Sequence, residues 1–355
     1  MSKKLIFALL SLVLPACQKQ TATTPILTFN SLYFPPAAGL TWETADAKEL
    51  GWDVAKLNEA IDFVGNSNST AFIILYKGRI VTEKYWKGWT PSNVQAIASA
   101  SKSVSALMTG IAQENGLLDI NKKVGDYLGK GWSKAPQLKE DLITVRHLLT
   151  MSSGLDEDLN YYADAGKDWY YNTNAYYKTL DIIEKTSKKS LADYSKEAIW
   201  NKIGTQNSSW INTSALKTIV CSGRDMARFG LLILNNGKWN EVPLMNDSAY
   251  FSQMQQPSQS LNPAYGYLWW LNGQSAYKLP SGNPKLNNSG TGLLIPAAPA
   301  DMISALGKGD KKIYVIKSKD LVVIRHGDDA KTSESPLALT SFDNLLWQKL
   351  SLAIK

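Results

Sequence analysis

Between residues 97 and 116 the apolar positions Val104, Leu107, Met108 and Ile111 recur at helical spacing, and the pattern stops at Gly116. Intervals of three and four place these side chains on one stripe, so the spacing predicts a buried helix. Small residues precede the stripe: Ala96, Ala98, Ala100 and Ser101 surround Ser99 on its first turn. Other stretches have strand character. Residues 71–76 and 79–86, rich in β-branched and aromatic side chains, flank Lys77-Gly78 and predict a β-hairpin. Residues 312–317 and 321–325, around Ser318-Lys319-Asp320, predict a second hairpin near the other end. Residues 225–234 read as a helix that ends at Asn235-Asn236-Gly237, and residues 341–354 as an amphipathic helix able to lie on a sheet.

Strands at both ends with a helical block between them predict an α/β (α+β) fold. Its antiparallel sheet is built from N- and C-terminal strands and flanked by helices, and an all-α subdomain is inserted. The α/β part is expected over about 41–98 and 260–355, and the helical part over about 99–259. A chain of 355 residues with 44% hydrophobic residues and 12 tryptophans buries a large core, as one enzyme-sized unit of two packed subdomains. The two hairpins are not copies, and no internal repeat is evident. The net charge is +7, or +5 once Lys3 and Lys4 leave with a leader, and the basic residues are scattered rather than gathered in a stripe. Nucleic acid is therefore not an expected partner.

The first 17 residues combine a basic head, an apolar run from Leu5 to Leu14 and a cysteine. The run is shorter than the roughly 20 apolar residues that span a bilayer, and it has the form of an export signal. Leu14-Pro15-Ala16-Cys17 resembles the lipobox of bacterial lipoproteins, which implies lipidation at Cys17 and anchoring to a membrane of the bacterial cell envelope. Cleavage after Ala16 is the competing reading. Residues 18–40, rich in Thr, Pro and Ala, are expected to be a tether, leaving 41–355 as the folded domain. Cys221 is the other cysteine, expected as a small buried residue.

Ser99-Ala100-Ser101-Lys102 places a serine and a lysine three apart, hence on one helix face, with the helix N-terminus beside them. The spacing alone decides nothing, because Ser214-Lys217 and Ser275-Lys278 share it. Context separates them: Ser214 and Ser275 sit in polar loop sequence, without small neighbours or an apolar helix behind them. A serine needs a base to become a nucleophile, and burial brings a lysine amine toward working pH. A tyrosine beside the lysine can share the task as phenolate. Residues 169–177, Trp-Tyr-Tyr-Asn-Thr-Asn-Ala-Tyr-Tyr, supply the candidate Tyr171, with Tyr170 and Tyr176 as rivals. Thr173 is placed to hydrogen-bond substrate or lysine.

Four motifs in order, Ser99-Ala-Ser-Lys102, residues 143–155 (Ile-Thr-Val-Arg-His-Leu-Leu-Thr-Met-Ser-Ser-Gly-Leu), Tyr171-Asn-Thr-Asn-Ala-Tyr176 and residues 222–230, are similar to those of the serine β-lactamase and penicillin-binding-protein superfamily. The likeness is to its class C-like branch, which includes DD-peptidases, family VIII esterases and 6-aminohexanoate-oligomer hydrolases. It implies an acyl-enzyme on Ser99, with Lys102 and Tyr171 handling the proton, and a small-molecule ester, amide or peptide-like substrate. Two departures bear on substrate. The branch's Tyr-x-Asn reads Tyr-Asn-Thr here, which weakens a DD-peptidase or β-lactamase reading. Its Lys-Thr-Gly strand motif is replaced by residues 305–315, in which an N–H near Gly309 or Asp310 is the candidate to complete an oxyanion hole. The alternative class is a penicillin-binding-like sensor or scaffold that is acylated without turnover.

Other chemistries lack their residues. There is no Gly-x-Ser-x-Gly elbow and no phosphate-binding glycine loop. The two histidines, His147 and His326, make a zinc site improbable, and neither a metal nor a cofactor is expected. His147 is expected to be structural; His326 receives no role.

Overall fold

The computed structural model describes residues 27–286, 288–331 and 339–354. Helix α1 (Val54–Asn66) starts at Asp53, whose carboxylate accepts the Lys56 N–H at 3.0 Å and so satisfies one of the first turn's orphan donors. It leads into the expected first hairpin, β1 (Ser69–Tyr76) and β2 (Arg79–Tyr85). A two-residue turn that follows the strands' twist needs left-handed backbone at both positions, and Lys77 and Gly78 hold φ of 46° and 79°. Position 78 also has no room for a side chain, since a Cβ there would lie 1.9 Å from the Tyr33 carbonyl oxygen.

Strand β3 (Val94–Ala96) enters a 3-10 turn at Ala98–Ala100 that opens directly into α2 (Ser101–Glu114). After it come α3 (Thr173–Ser187), β4 (Ser209–Asn212), β5 (Lys217–Ser222) and α4 (Gly223–Leu234). Strands β3, β5 and β4 form a small antiparallel ribbon in that order, so the mainly helical middle of the chain carries strands as well. The C-terminal part supplies β6 (Trp270–Leu271), β7 (Ile303–Gly307), β8 (Lys311–Ile316), β9 (Leu321–Gly327) and α5 (Ser341–Ala353).

Strands from the two ends join into one six-stranded antiparallel sheet, ordered β2-β1-β9-β8-β7-β6. This is the α/β architecture expected from the pattern, and the second hairpin is β8–β9. Beyond the expected strands the sheet includes β7, whose five residues are too short a run to separate strand from loop by periodicity. Helices α1 and α5 lie on one face, and α4 packs on the other. Covered on both sides, β1, β8 and β9 are buried almost throughout, which is why they read as continuous apolar runs rather than as alternation.

One buried polar knot fixes α5 to the sheet. Lys312 Nζ lies 2.8 Å from Asp343 Oδ2 and 3.1 Å from Asp310 Oδ1, and the Tyr314 hydroxyl donates to Asp343 Oδ1 at 2.7 Å. Asp343 also accepts the Thr340 N–H at 3.0 Å, closing a capping box on α5.

Residues 27–40, assigned by composition to a tether, instead lie against the domain. Two arginines on α4 explain this: Arg228 donates to the Pro36 carbonyl at 2.8 Å, and Arg224 to the Leu40 carbonyl. The signal, Cys17 and residues 18–26 lie outside the described residues.

Candidate active site

Ser99 stands at the junction of β3 and α2, on a strained turn. Ala98 holds φ of +50°, a left-handed conformation that costs a non-glycine residue about 1 kcal/mol or more. Pairing on both sides holds it there: the Ile97 N–H donates to the Ile219 carbonyl at 2.9 Å, and Thr218 Oγ1 donates to the Ala98 carbonyl at 3.3 Å. The effect is to present a half-buried Ser99 on the N-terminal side of α2.

Lys102 follows one turn later, 3% exposed, with its amine 3.3 Å from Ser99 Oγ and 3.2 Å from Thr173 Oγ1. Its ammonium also lies over the rings of Tyr171 and Tyr176, 4.9 and 4.8 Å from their centroids. Burial disfavours the charged form and brings the amine down to about 7, while the Glu157 carboxylate pulls the other way. At neutral pH a large fraction of Lys102 is therefore free base, able to accept a proton from the hydroxyl it touches.

Of the three tyrosines, Tyr171 reaches the Ser99 side chain. Tyr176 instead spends its hydroxyl on Ser105 Oγ, 2.6 Å away, and Tyr170 packs edge-on against Tyr162. Tyr171 is held in an aromatic cage: its ring stacks on Trp270 at 6.0 Å and meets Tyr265 edge-on at 6.1 Å. Burial in that cage pushes its phenol well above the ordinary range, only partly offset by Ser99. Burial thus favours the neutral phenol over the phenolate.

Thr173 opens α3, and the Asn172 side chain caps that helix by accepting the Ala175 N–H at 2.8 Å. Gly309 and Asp310 are placed differently. They form the β7–β8 turn, with φ of 74° and 57°, and the Asp310 carboxylate points into the polar knot under α5. The glycine that approaches the nucleophile's turn is Gly307 at the end of β7, where a Cβ would sit 2.2 Å from the Ile97 carbonyl oxygen. Sequence reasoning quoted this glycine within its segment without separating it from its neighbours.

Sequence reasoning missed Glu157. Its Oε2 accepts the Thr173 N–H at 3.2 Å, and it lines a cavity of about 560 Å³ with Asn174, Lys178 and Lys217. Nothing local marks it among the neighbouring acids Asp156 and Asp158.

The remaining candidates have structural settings. Lys217 pairs with Asp181 at 3.1 Å and Lys278 with Asp168 at 3.2 Å, so each decoy lysine is engaged by a carboxylate. His147 closes a capping box with Thr144, as expected of a structural residue. His326, fully buried on β9, meets Gln95 Oε1 at 3.3 Å, and burial holds it neutral by lowering its pKa to about 3. Cys221 is buried.

A strained serine turn, a buried lysine and a caged tyrosine are thus brought together between a helical block and an antiparallel sheet. The chain belongs to the β-lactamase family, whose model matches residues 58–325. Among solved structures it is similar to a Bacillus anthracis protein provisionally named a 6-aminohexanoate-dimer hydrolase. That match has a TM-score of 0.67 and 19% identity over 92% of this chain and 91% of that one. A penicillin-binding protein homologue from Caulobacter crescentus matches with a TM-score of 0.63 and 13% identity over 88% and 98% of the two chains. A Bacillus subtilis penicillin-binding protein is 28% identical over 135 residues, which span 30% of this chain and only 28% of that relative's length.

Proposed function

We propose that this protein is a serine hydrolase that cleaves an ester or amide through an acyl-enzyme on Ser99. The observation that carries the reading is the buried Lys102 amine 3.3 Å from Ser99 Oγ, with its pKa brought to about 7. In the reaction the Ser99 hydroxyl passes its proton to the neutral Lys102 amine as Oγ attacks the carbonyl carbon. The leaving alcohol or amine takes a proton from Lys102, relayed by the Tyr171 phenol. Water then attacks the acyl-enzyme, giving its proton back along the same path, and the acid departs as Oγ is reprotonated. The start of α2 and the end of β7, which closes on the nucleophile's turn at Gly307, are the backbone we assign to supply N–H groups to the developing oxyanion.

Membership of the β-lactamase family and the likeness to a protein provisionally named a 6-aminohexanoate-dimer hydrolase support a hydrolase, and the Tyr-Asn-Thr motif favours a simple ester or amide over a β-lactam. The amino-terminal pattern supports export and lipidation at Cys17 in the cell envelope; among the described residues no helix is long and apolar enough to cross a membrane.

The test uses the chain lacking residues 1–17, exposed to a fluorophosphonate and to short-chain p-nitrophenyl esters, with intact-mass detection. Adduct and turnover should both vanish in Ser99→Ala. An adduct without turnover would favour the sensor reading, and an adduct that persists in Ser99→Ala would sink the assignment.

A further inference from the structure

Glu157 both lines the 560 Å³ cavity and acts on the lysine of the site. Its surroundings are specific. The Thr173 N–H, first of α3, donates to Glu157 Oε2 at 3.2 Å, and Asn174 Nδ2 donates to the Glu157 carbonyl at 2.7 Å. Thr173 in turn offers Oγ1 to Lys102 at 3.2 Å. A carboxylate at the positive end of a 15-residue helix is thus joined to the lysine through a single threonine.

Resting on the reading of Ser99 and Lys102 given above, we infer that Glu157 is a positioning residue of the same site. Its carboxylate anchors Thr173, holds the Lys102 amine in line with Ser99, and sets the pH at which that amine becomes a free base.

The charges around the pair are few. Facing Lys102 are the Ser99 hydroxyl, the phenol rings of Tyr171 and Tyr176, Thr173 and Glu157. Facing Glu157 are Lys102 and Asp156, with the Tyr170 and Tyr171 phenols within its field. The cavity beyond adds Asp158, Lys178, Asp181 and Lys217, of which Lys178 and Lys217 are paired with Asp181. Both phenols are neutral near pH 7, burial having raised them, so Glu157 is the negative charge that opposes desolvation of the ammonium. Removing that charge while keeping the hydrogen bond to Thr173 makes Lys102 easier to deprotonate.

The experiment measures fluorophosphonate labelling rate at Ser99 from pH 5.5 to 9 in the wild type, Glu157→Gln, Glu157→Asp and Ser99→Ala. The acid limb of Glu157→Gln should move to lower pH, so that labelling at pH 6, relative to its plateau, rises on the order of threefold. Glu157→Asp keeps the charge and should keep the wild-type limb, even where its plateau falls from a shorter reach to Thr173. A Glu157→Gln limb that stays in place, with rates lowered equally at all pH values, would reduce Glu157 to a structural role. Should Glu157→Gln fail to fold, as judged by circular dichroism, Glu157→Ala is read in its place: an acid limb displaced downward would uphold the inference and an unmoved one would overturn it. Labelling that survives in Ser99→Ala would instead overturn the underlying catalytic reading, and this inference with it.

Discussion

Lys102 lies between two demands, because the burial that makes it a usable base also costs the folded protein. Its folded pKa of about 7 lies below the value of 10.5 that it has in the unfolded chain. Between these values the unfolded chain binds the extra proton, so Lys102 adds to stability as pH rises through this window and its full cost is felt below pH 7. Lys102→Met keeps the packing and removes the charge. At pH 7 it should lower turnover of a p-nitrophenyl ester by at least about 10²-fold. The same variant should raise Tm by about 2 °C or more in a thermal melt, since roughly 1 kcal/mol moves a chain of this size by 2–4 °C. A destabilised Lys102→Met would mean that the amine's bonds to Ser99 and Thr173 outweigh its desolvation. In the wild type, kcat/KM should rise with pH through about 7 as the lysine loses its proton. Among the tyrosines, Tyr171→Phe should lose turnover while Tyr170→Phe keeps most of it, because only the Tyr171 hydroxyl reaches Ser99.

Two short elements matter out of proportion to their length. The β3 edge and the Ala98–Ala100 turn aim the nucleophile, and β7 closes against them at Gly307. A Gly307→Ala methyl would meet the Ile97 carbonyl oxygen and push the turn or the strand aside. The expected result is a fall in kcat with Tm reduced by only a few degrees, read from ester kinetics and a melt; unchanged kcat would show that this approach does not set the site. Helix α5 is held by the Asp310–Lys312–Asp343 knot, where Lys312 is fully buried. Asp343→Ala leaves that ammonium with one carboxylate instead of two and opens the α5 capping box. Breaking a buried ionic group costs about 3–5 kcal/mol, so the variant should melt far below the wild type. Both hairpins and three helices were legible locally, the stripes at 97–116, 225–234 and 341–354 appearing as α2, α4 and α5; helix α1 was not among them. The short strands β6 and β7 were not, since pairing rather than pattern makes them strands.

For the molecule as a whole, the amino-terminal stretch is part of the fold from Leu27 onward. Arg228 is 3% exposed and spends its donors on the carbonyls of Pro35, Pro36 and Ile203. Compared with a chain lacking residues 1–26, one lacking residues 1–40 leaves buried guanidinium donors without partners and should melt several degrees lower. Equal melting temperatures for the two deletions would show that the stretch contributes nothing to stability.

The sequence by itself determined what depends on neighbours along the chain. It yielded both hairpins, helices α2, α4 and α5, and the Ser99–Lys102 pair, whose closeness follows from three residues of helix. Its order of motifs also pointed to the family. Only the tertiary structure decided the rest, because the remaining parts of the site are joined by contacts between residues far apart in the chain. Tyr171 was chosen over two rivals by which hydroxyl reached the serine. Glu157 was singled out from three clustered acids by the fold of its loop onto α3, and Gly307 from its neighbouring glycines by the pairing of β7. The lysine's usable basicity was likewise decided there, since desolvation is set by everything packed around the amine.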